Sequence, residues 1–453
     1  MNPTHAYIAL TAIALSLSAC GSRETSSPPP AAETPTATEG PSAPSPSEPT
    51  PSEPAPSEPA PSATDGNASP HDDAAFAAAS RAFAIDLWRA RSGERGNAAV
   101  SPASLSLALA MAWGGARGDT AAQMARALRF PDDPSALHRA ARAQLAKWNA
   151  PHDDYSLRVA NRLFAKNGLP LEDAFVALTR DAYSAPIESL SFADLEAARA
   201  RINAWVAEQT VDRIPEILPA GALDSDSRLV LTNAIHFRGT WQTGFMEGMT
   251  RPAPFHLDGG ETVRVPMMGQ APSRYAYTAD ETAQVIELPY RGGDLAMIVI
   301  LPRERGGLAA LESALTVERL EGWIAALSRR EIALSIPRFR IDPAGPIALK
   351  PTLQALGMQL PFEPAADFTG MSSPPSPQEM LYIDEVYHRA FVEVDENGTE
   401  AAAASAVVMT ARGAGMPGGG PTVFRADHPF LFLIRDSRSG AYLFMGRVAD
   451  PRG

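Results

Sequence analysis

Hydrophobic and polar positions divide the chain into three unlike stretches. Residues 6–19 form a charge-free, largely apolar run, AYIALTAIALSLSA. From Ser22 to about Pro70 large apolar side chains all but vanish. From Asp72 they return with regular spacing. Between Ala74 and Trp88 the positions Phe76, Ala79, Phe83 and Leu87 share one face at a helical interval and predict an amphipathic helix. A second helix is predicted after Ser101-Pro102, with the Ser101 hydroxyl as cap and proline in the first turn, where no amide is needed. A third covers Ala198 to Thr210. Runs beginning at Arg228, Gln284, Leu295 and Phe430 are rich in branched and aromatic residues and predict strands. Helices come mainly first and strands later, which predicts an α+β fold and not a repeating βαβ unit. No repeat of solenoid length is visible.

The two N-terminal stretches carry a different message. Residues 6–19 are too few for a comfortable membrane span. An apolar run ending in small residues reads as a secretion signal. Leu17-Ser18-Ala19-Cys20 resembles the bacterial lipobox, in which the cysteine becomes the lipidated first residue. The leading MNPTH has no Lys or Arg, unlike most such signals, so an ordinary signal peptide or a misplaced start remains the alternative. Cys20 is the only cysteine, so neither an internal disulfide nor a cysteine zinc cluster is available. Ser22 to Pro70 is low-complexity, with the near repeat SEPTPSEPAPSEPAPS. It lacks the apolar surface needed to offset the entropy of ordering, and its prolines favour extended polyproline II. At ~3.1 Å per residue it would hold a domain on the order of 100 Å from a membrane. The expected organisation is a leader at 1–19, a lipidated Cys20 and spacer over 20–71, and one folded domain over 72–453.

Charge and motif searches narrow the function. A net charge of -13 argues against nucleic acid, which needs a basic face. No basic helix suggests a polyanion site. No HExxH, Walker A loop or GxSxG elbow occurs, and the eight histidines lack metal-ligand spacing. Gly413, Gly415 and Gly418 satisfy GxGxxG as a string, but Pro417 interrupts it and no helix opens after it. The expectation is therefore no enzyme, no metal and no cofactor.

A set of motifs running in order through the folded part is similar to one family. They are NAAVSPASL (97–105) with GARGDTAAQM (115–124), LTNAIHFRGTW (231–241), VIELPY (285–290) with IVILP (298–302), IPRF (336–339), ADFTGM (366–371), HRA (388–390), HPFLFLI (428–434) and LFMGR (443–447). They resemble the serpins, protease inhibitors whose exposed loop is cut by the target. The resemblance implies the serpin fold, an N-terminal helical region with three β-sheets and an exposed reactive loop at about 396–423. It also implies a polar cluster of Ser101, Ser104, Asn233 and His388 that gates opening of the main sheet, with Trp241 near where the loop begins to insert. Taken alone, those residues would pass as satisfied core polar groups.

The hinge of that loop would comprise Glu396, Gly398, Thr399, Glu400, Ala401, Ala402, Ala403, Ala404 and Ser405. The physical demand on it is severe: soluble before cleavage, a central strand afterward. Alternate residues of such a strand must fit under packed neighbours. Thr399, Ala401, Ala403 and Ser405 share the inward parity and all are small. Proline is absent from Glu396 to Met416, as a central strand requires. Gly398 permits a bend where insertion starts. The alanine run is also good helix material, but it has no apolar stripe to hold a helix onto a core.

Family spacing implies a scissile bond between Arg412 and Gly413. Arginine there suits the carboxylate-floored pocket of trypsin-like proteases. The glycine-rich segment after it blurs the register, and Met409 or Ala411 would suit chymotrypsin-like or elastase-like enzymes; cysteine proteases are a further alternative. Met416 is disfavoured by Pro417. The implied mechanism is a suicide trap: acylation at Arg412, insertion of the cut strand, and distortion of the protease. A monomer tethered in the cell envelope by Cys20 is one expectation, secretion the other. A non-inhibitory binding protein of the same fold is the competing reading.

Overall fold

The computed structural model describes the backbone of residues 9–19, together with residues 70–374, 376, 379–399 and 420–453. The spacer, Cys20, Glu400, Ala401, Ala402, Ala403, Ala404, Ser405, Arg412 and Gly413 lie outside the described residues. The predicted elements form where the pattern places them. The first helix runs Pro70–Ala90 and buries Phe76, Ala79, Phe83 and Leu87. The second, Pro102–Gly115, starts at a Ser101 cap whose side chain accepts from the Ser104 amide, with proline in its first turn. It is buried on almost every side, as an all-round apolar helix must be. Leu195–Gln209 is the third predicted helix.

The main sheet has the order 339–341, 381–394, 9–19, 227–240, 155–166, 187–190. Leu381–Val394 and Ser227–Thr240 are its two longest strands. Each pairs antiparallel with Ala9–Ala19, which lies between them. The sequence reading assigns that run to a secretion signal and predicts no strand there. Free of charge and proline, it can donate every amide to a neighbour, as a central strand requires. Gly398–Thr399 adds two residues beside Gly239 and Thr240 at one end of the same sheet.

The remaining strands form a ten-strand network from Ala98–Val100 to Arg251–His256. Its two parts share one strand: Ser328–Pro337 pairs with Ser273–Ala279 over its first half and with Thr262–Gly269 at its end. Thr422–Arg425 joins this strand in parallel. The fully buried runs Leu295–Pro302 and Tyr442–Val448 lie on either side of Phe430–Asp436 in this network.

One buried ion pair ties this core to the first helix. Arg447 reaches both carboxylate oxygens of Glu312 at 3.0 Å, and the Trp88 indole donates to the same group at 3.1 Å. Burial pushes the Glu312 carboxyl up, against the opposing pull of Arg447. Removing one partner of such a pair strands the other. Arg447→Met is expected to lower unfolding stability by about 3–5 kcal/mol at neutral pH, recovered in part by adding Glu312→Gln. Denaturant titration of the two variants checks this.

Candidate functional site

Two polar groupings sit along the strands that flank the central slot. The first lies under the middle of the main sheet. His388, fully buried on its strand, accepts from the Ser101 amide through Nε2 at 3.1 Å. The Ser104 hydroxyl donates to Asn233 Oδ1. Asn233 donates in turn to Asn161 Oδ1 at 2.6 Å, and Asn161 to the Tyr183 carbonyl at 2.8 Å. Ser101, Ser104, Asn233 and His388 therefore converge, from one helix cap and two different strands. Asn161 and the Tyr183 carbonyl extend the network to a third strand and a helix end; no sequence signal pointed to Asn161.

The second grouping lies at the end of the sheet where Gly398–Thr399 pairs with Thr240 and Gly239. Glu396 is buried, and the Arg338 Nε reaches its two oxygens at 2.8 and 2.7 Å. The Thr250 hydroxyl donates to it as well. Burial raises this carboxyl, but Arg338 and Thr250 outweigh it and hold the group below the usual range. The Asp395 side chain accepts from the amides of Asn397 and Gly398 at 2.8 and 3.2 Å, an Asx-type turn. Gly398 follows at φ +153, and a Cβ there would stand 2.1 Å from the Gly239 carbonyl oxygen. Only glycine fits this bend.

Thr399 then enters the sheet fully buried, its hydroxyl 2.6 Å from that of Tyr290. Trp241 stacks on Tyr290 at 4.6 Å between ring centroids and donates its indole N–H to the Asp395 carbonyl at 3.0 Å. The Trp241 amide bonds the Asn397 carbonyl at 2.9 Å. Trp241 thus grips the turn through both backbone and side chain. Arg338 and Tyr290 stand inside motifs recognised from sequence, but nothing local announced that they would hold Glu396 and Thr399. Thr399 is the last described residue before the loop, and the strand Thr422–Arg425 belongs to the other network. Among the described residues no cluster of His, Cys, Asp or Glu is placed to hold a metal ion, and no helix is long and apolar enough to cross a membrane.

A profile described as "Serpin (serine protease inhibitor)" matches residues 78–451. The chain belongs to the serpin family. It is 41% identical to the leukocyte elastase inhibitor of Sus scrofa over 384 residues, covering 83% of this chain and 99% of that one. An uncharacterized serpin-like protein of Thermococcus kodakarensis is 37% identical over 376 residues, covering 83% and 85%. Among solved structures, a cleaved serpin 42Da superposes with a TM-score of 0.73 at 33% identity, covering 84% and 99%. Thyroxine-binding globulin in complex with thyroxine superposes at 0.72 with 26% identity, covering 83% and 99%. The architecture is the serpin fold, and the family is one of protease inhibitors, not enzymes.

The His388 ring gives this polar cluster a pH signature. Because Nε2 accepts, the ring proton sits on Nδ1, which has no partner. Burial, reinforced by Arg91, pushes the imidazole down to about 3 from an ordinary 6.5. Between those values the unfolded chain binds a proton that the folded chain refuses. This stability is therefore present above pH 6.5 and drains away as pH falls toward 3. His388→Gln is expected to lose stability less steeply across that window in thermal melts. A residual slope stays from His138, which burial pushes down to about 4.

Proposed function

We propose that this serpin is a suicide inhibitor of serine proteases, cut between Arg412 and Gly413 and trapping its target by inserting the cut loop into the main sheet. The observation that carries this reading is Thr399, buried in the sheet beside Tyr290 with a small, proline-free, nearly charge-free sequence to follow. Residues 400–421 connect two different sheets, so one cut frees a segment still tethered at Thr399. At ~3.3 Å per residue, the stretch from Thr399 to Arg412 would carry an attached protease on the order of 40 Å. Arg412 favours trypsin-like enzymes, whose pocket offers a carboxylate. The elastase-inhibitor relatives favour an alternative cut at Ala411 or Met409. The likeness to thyroxine-binding globulin supports a second reading, a non-inhibitory binding protein, but the small inward residues of the hinge weigh against it.

We further propose that residues 1–19 are a secretion leader, and that Cys20 is lipidated and tethers a monomeric domain to the cell envelope through the proline-rich spacer. Several acyl chains at ~0.8 kcal/mol per buried methylene would make the anchor stable.

Incubation of the processed form, lacking residues 1–19, with trypsin should give a band at the summed mass on a denaturing gel, with parallel reactions on elastase and chymotrypsin fixing the preference. Cleavage at Arg412 that leaves trypsin fully active overturns the trap. Thr399→Arg places a long cation in a filled site and should convert inhibition into plain cleavage; unchanged inhibition would remove the hinge from the mechanism. Separately, Cys20→Ser should shift the protein from the membrane to the soluble fraction, and identical fractionation would refute the anchor.

A further inference from the structure

Two segments of this chain use the same edge of the Ser227–Thr240 strand. Gly398 and Thr399 pair with Thr240 and Gly239. Two residues further down, Ala9 pairs with Phe237, and the match continues through Leu17 opposite Leu229 and Ser18 opposite Ser227. Both segments run antiparallel to that strand, in the same direction and on the same track. On its other side the N-terminal strand pairs with Leu381–Val394, from Leu10 opposite Phe391 to Ala19 opposite Leu381. A chain continuing from Thr399 in register would bring Ala401 opposite Phe237 and Met409 opposite Leu229, the positions that Ala9 and Leu17 hold.

We infer that residues 9–19 act as an internal plug in the full-length chain, completing the main sheet and denying the slot to the reactive loop. The inference rests on the inhibitory reading above for its functional consequence, though not for the occupancy itself. The sequence ALTAIALSLSA suits the role for the same reasons as the loop: no charge, no proline, no glycine, so every amide can bond within a central strand. The strand ends at Ala19, immediately before Cys20. Removal of residues 1–19 at the proposed processing site therefore takes out the whole of the Ala9–Ala19 strand. Processing and inhibitory competence become one event: a folded chain that keeps its N-terminus is locked, and the processed chain is armed.

The test uses full-length protein that retains residues 1–19, alongside Ala12→Pro and, independently, Ala14→Pro. Ala12 sits mid-strand between Ala234 and Arg389, where proline removes a ladder bond and breaks a central strand. Hydrogen exchange on uncut protein reads occupancy without any protease. The expected result is that peptides from 9–19 stay protected for about an hour or longer in the parent and exchange within seconds in both proline variants, as released termini do. Trypsin complex formation reads gating. The variants should form covalent complex at least about tenfold more than the locked parent, since complex yield follows the fraction with an open slot. Rapid exchange of 9–19 in the parent overturns the plug while leaving the inhibitory reading intact. Equal, high complex yields from parent and variants overturn the gating. No complex from any form, with 9–19 released in the variants, overturns the inhibitory reading and the gating with it.

Discussion

Everything distinctive in this molecule follows from a slot one strand wide. Ser227–Thr240 and Leu381–Val394 both run antiparallel to the segment between them and therefore parallel to each other. Their inner edges each present a row of amides and carbonyls that must be satisfied. Only an extended chain with every amide free to donate can do so. In the structure Gly398–Thr399 begins the row and Ala9–Ala19 completes it. The same demand explains why both candidate occupants are depleted in charge and proline. It also explains why the groups beneath the slot matter: His388 and Asn233 sit on its two walls and are joined through Ser101 and Ser104 at the start of one helix. Parting the walls stretches that link.

What was legible in the sequence was what is local. Ser101 followed by proline and a long apolar run specifies a capped, buried helix without reference to anything distant. The alternation that placed Thr399 inward is likewise a property of a few neighbouring residues, and Thr399 is fully buried. The family motifs brought Ser101, Ser104, Asn233 and His388 to one cluster because the resemblance carried three-dimensional knowledge that spacing alone does not. Asn161 was missed for a physical reason. Its partner Asn233 is far along the chain on a neighbouring strand, and an asparagine in an otherwise alternating strand looks like any other tolerated polar residue. Arg338 is a similar case. An arginine after a proline suggests a solvated side chain, and only the fold brings Glu396 to it.

The apolar N-terminal run shows a different limit. The core of a secretion leader must be apolar and free of charge, and a strand filling a central slot must be free of charge and proline. Composition meets both demands at once, so no reading of residues 6–19 alone distinguishes them. The strand is visible only through its partner strands, which lie more than two hundred residues away in sequence.

The hinge resolves a conflict that neither state resolves alone. A segment designed only for exposure would carry charge and proline; one designed only for burial would carry large apolar groups and aggregate when exposed. Small side chains satisfy both, at the cost of weak packing in either. The strong interactions stand at the start of the expected hinge: the Glu396 carboxylate on Arg338, the Asp395 turn, and the Trp241 grip on the Asn397 and Asp395 carbonyls. Gly398 follows that anchor, with a close backbone approach to Gly239 that no side chain permits. Thr399 is the first residue past the bend, and its hydrogen bond to Tyr290 fixes which face of the following strand turns inward. Because the parity of a strand is set by any one of its residues, this single buried threonine would determine the facing of a strand continuing from it.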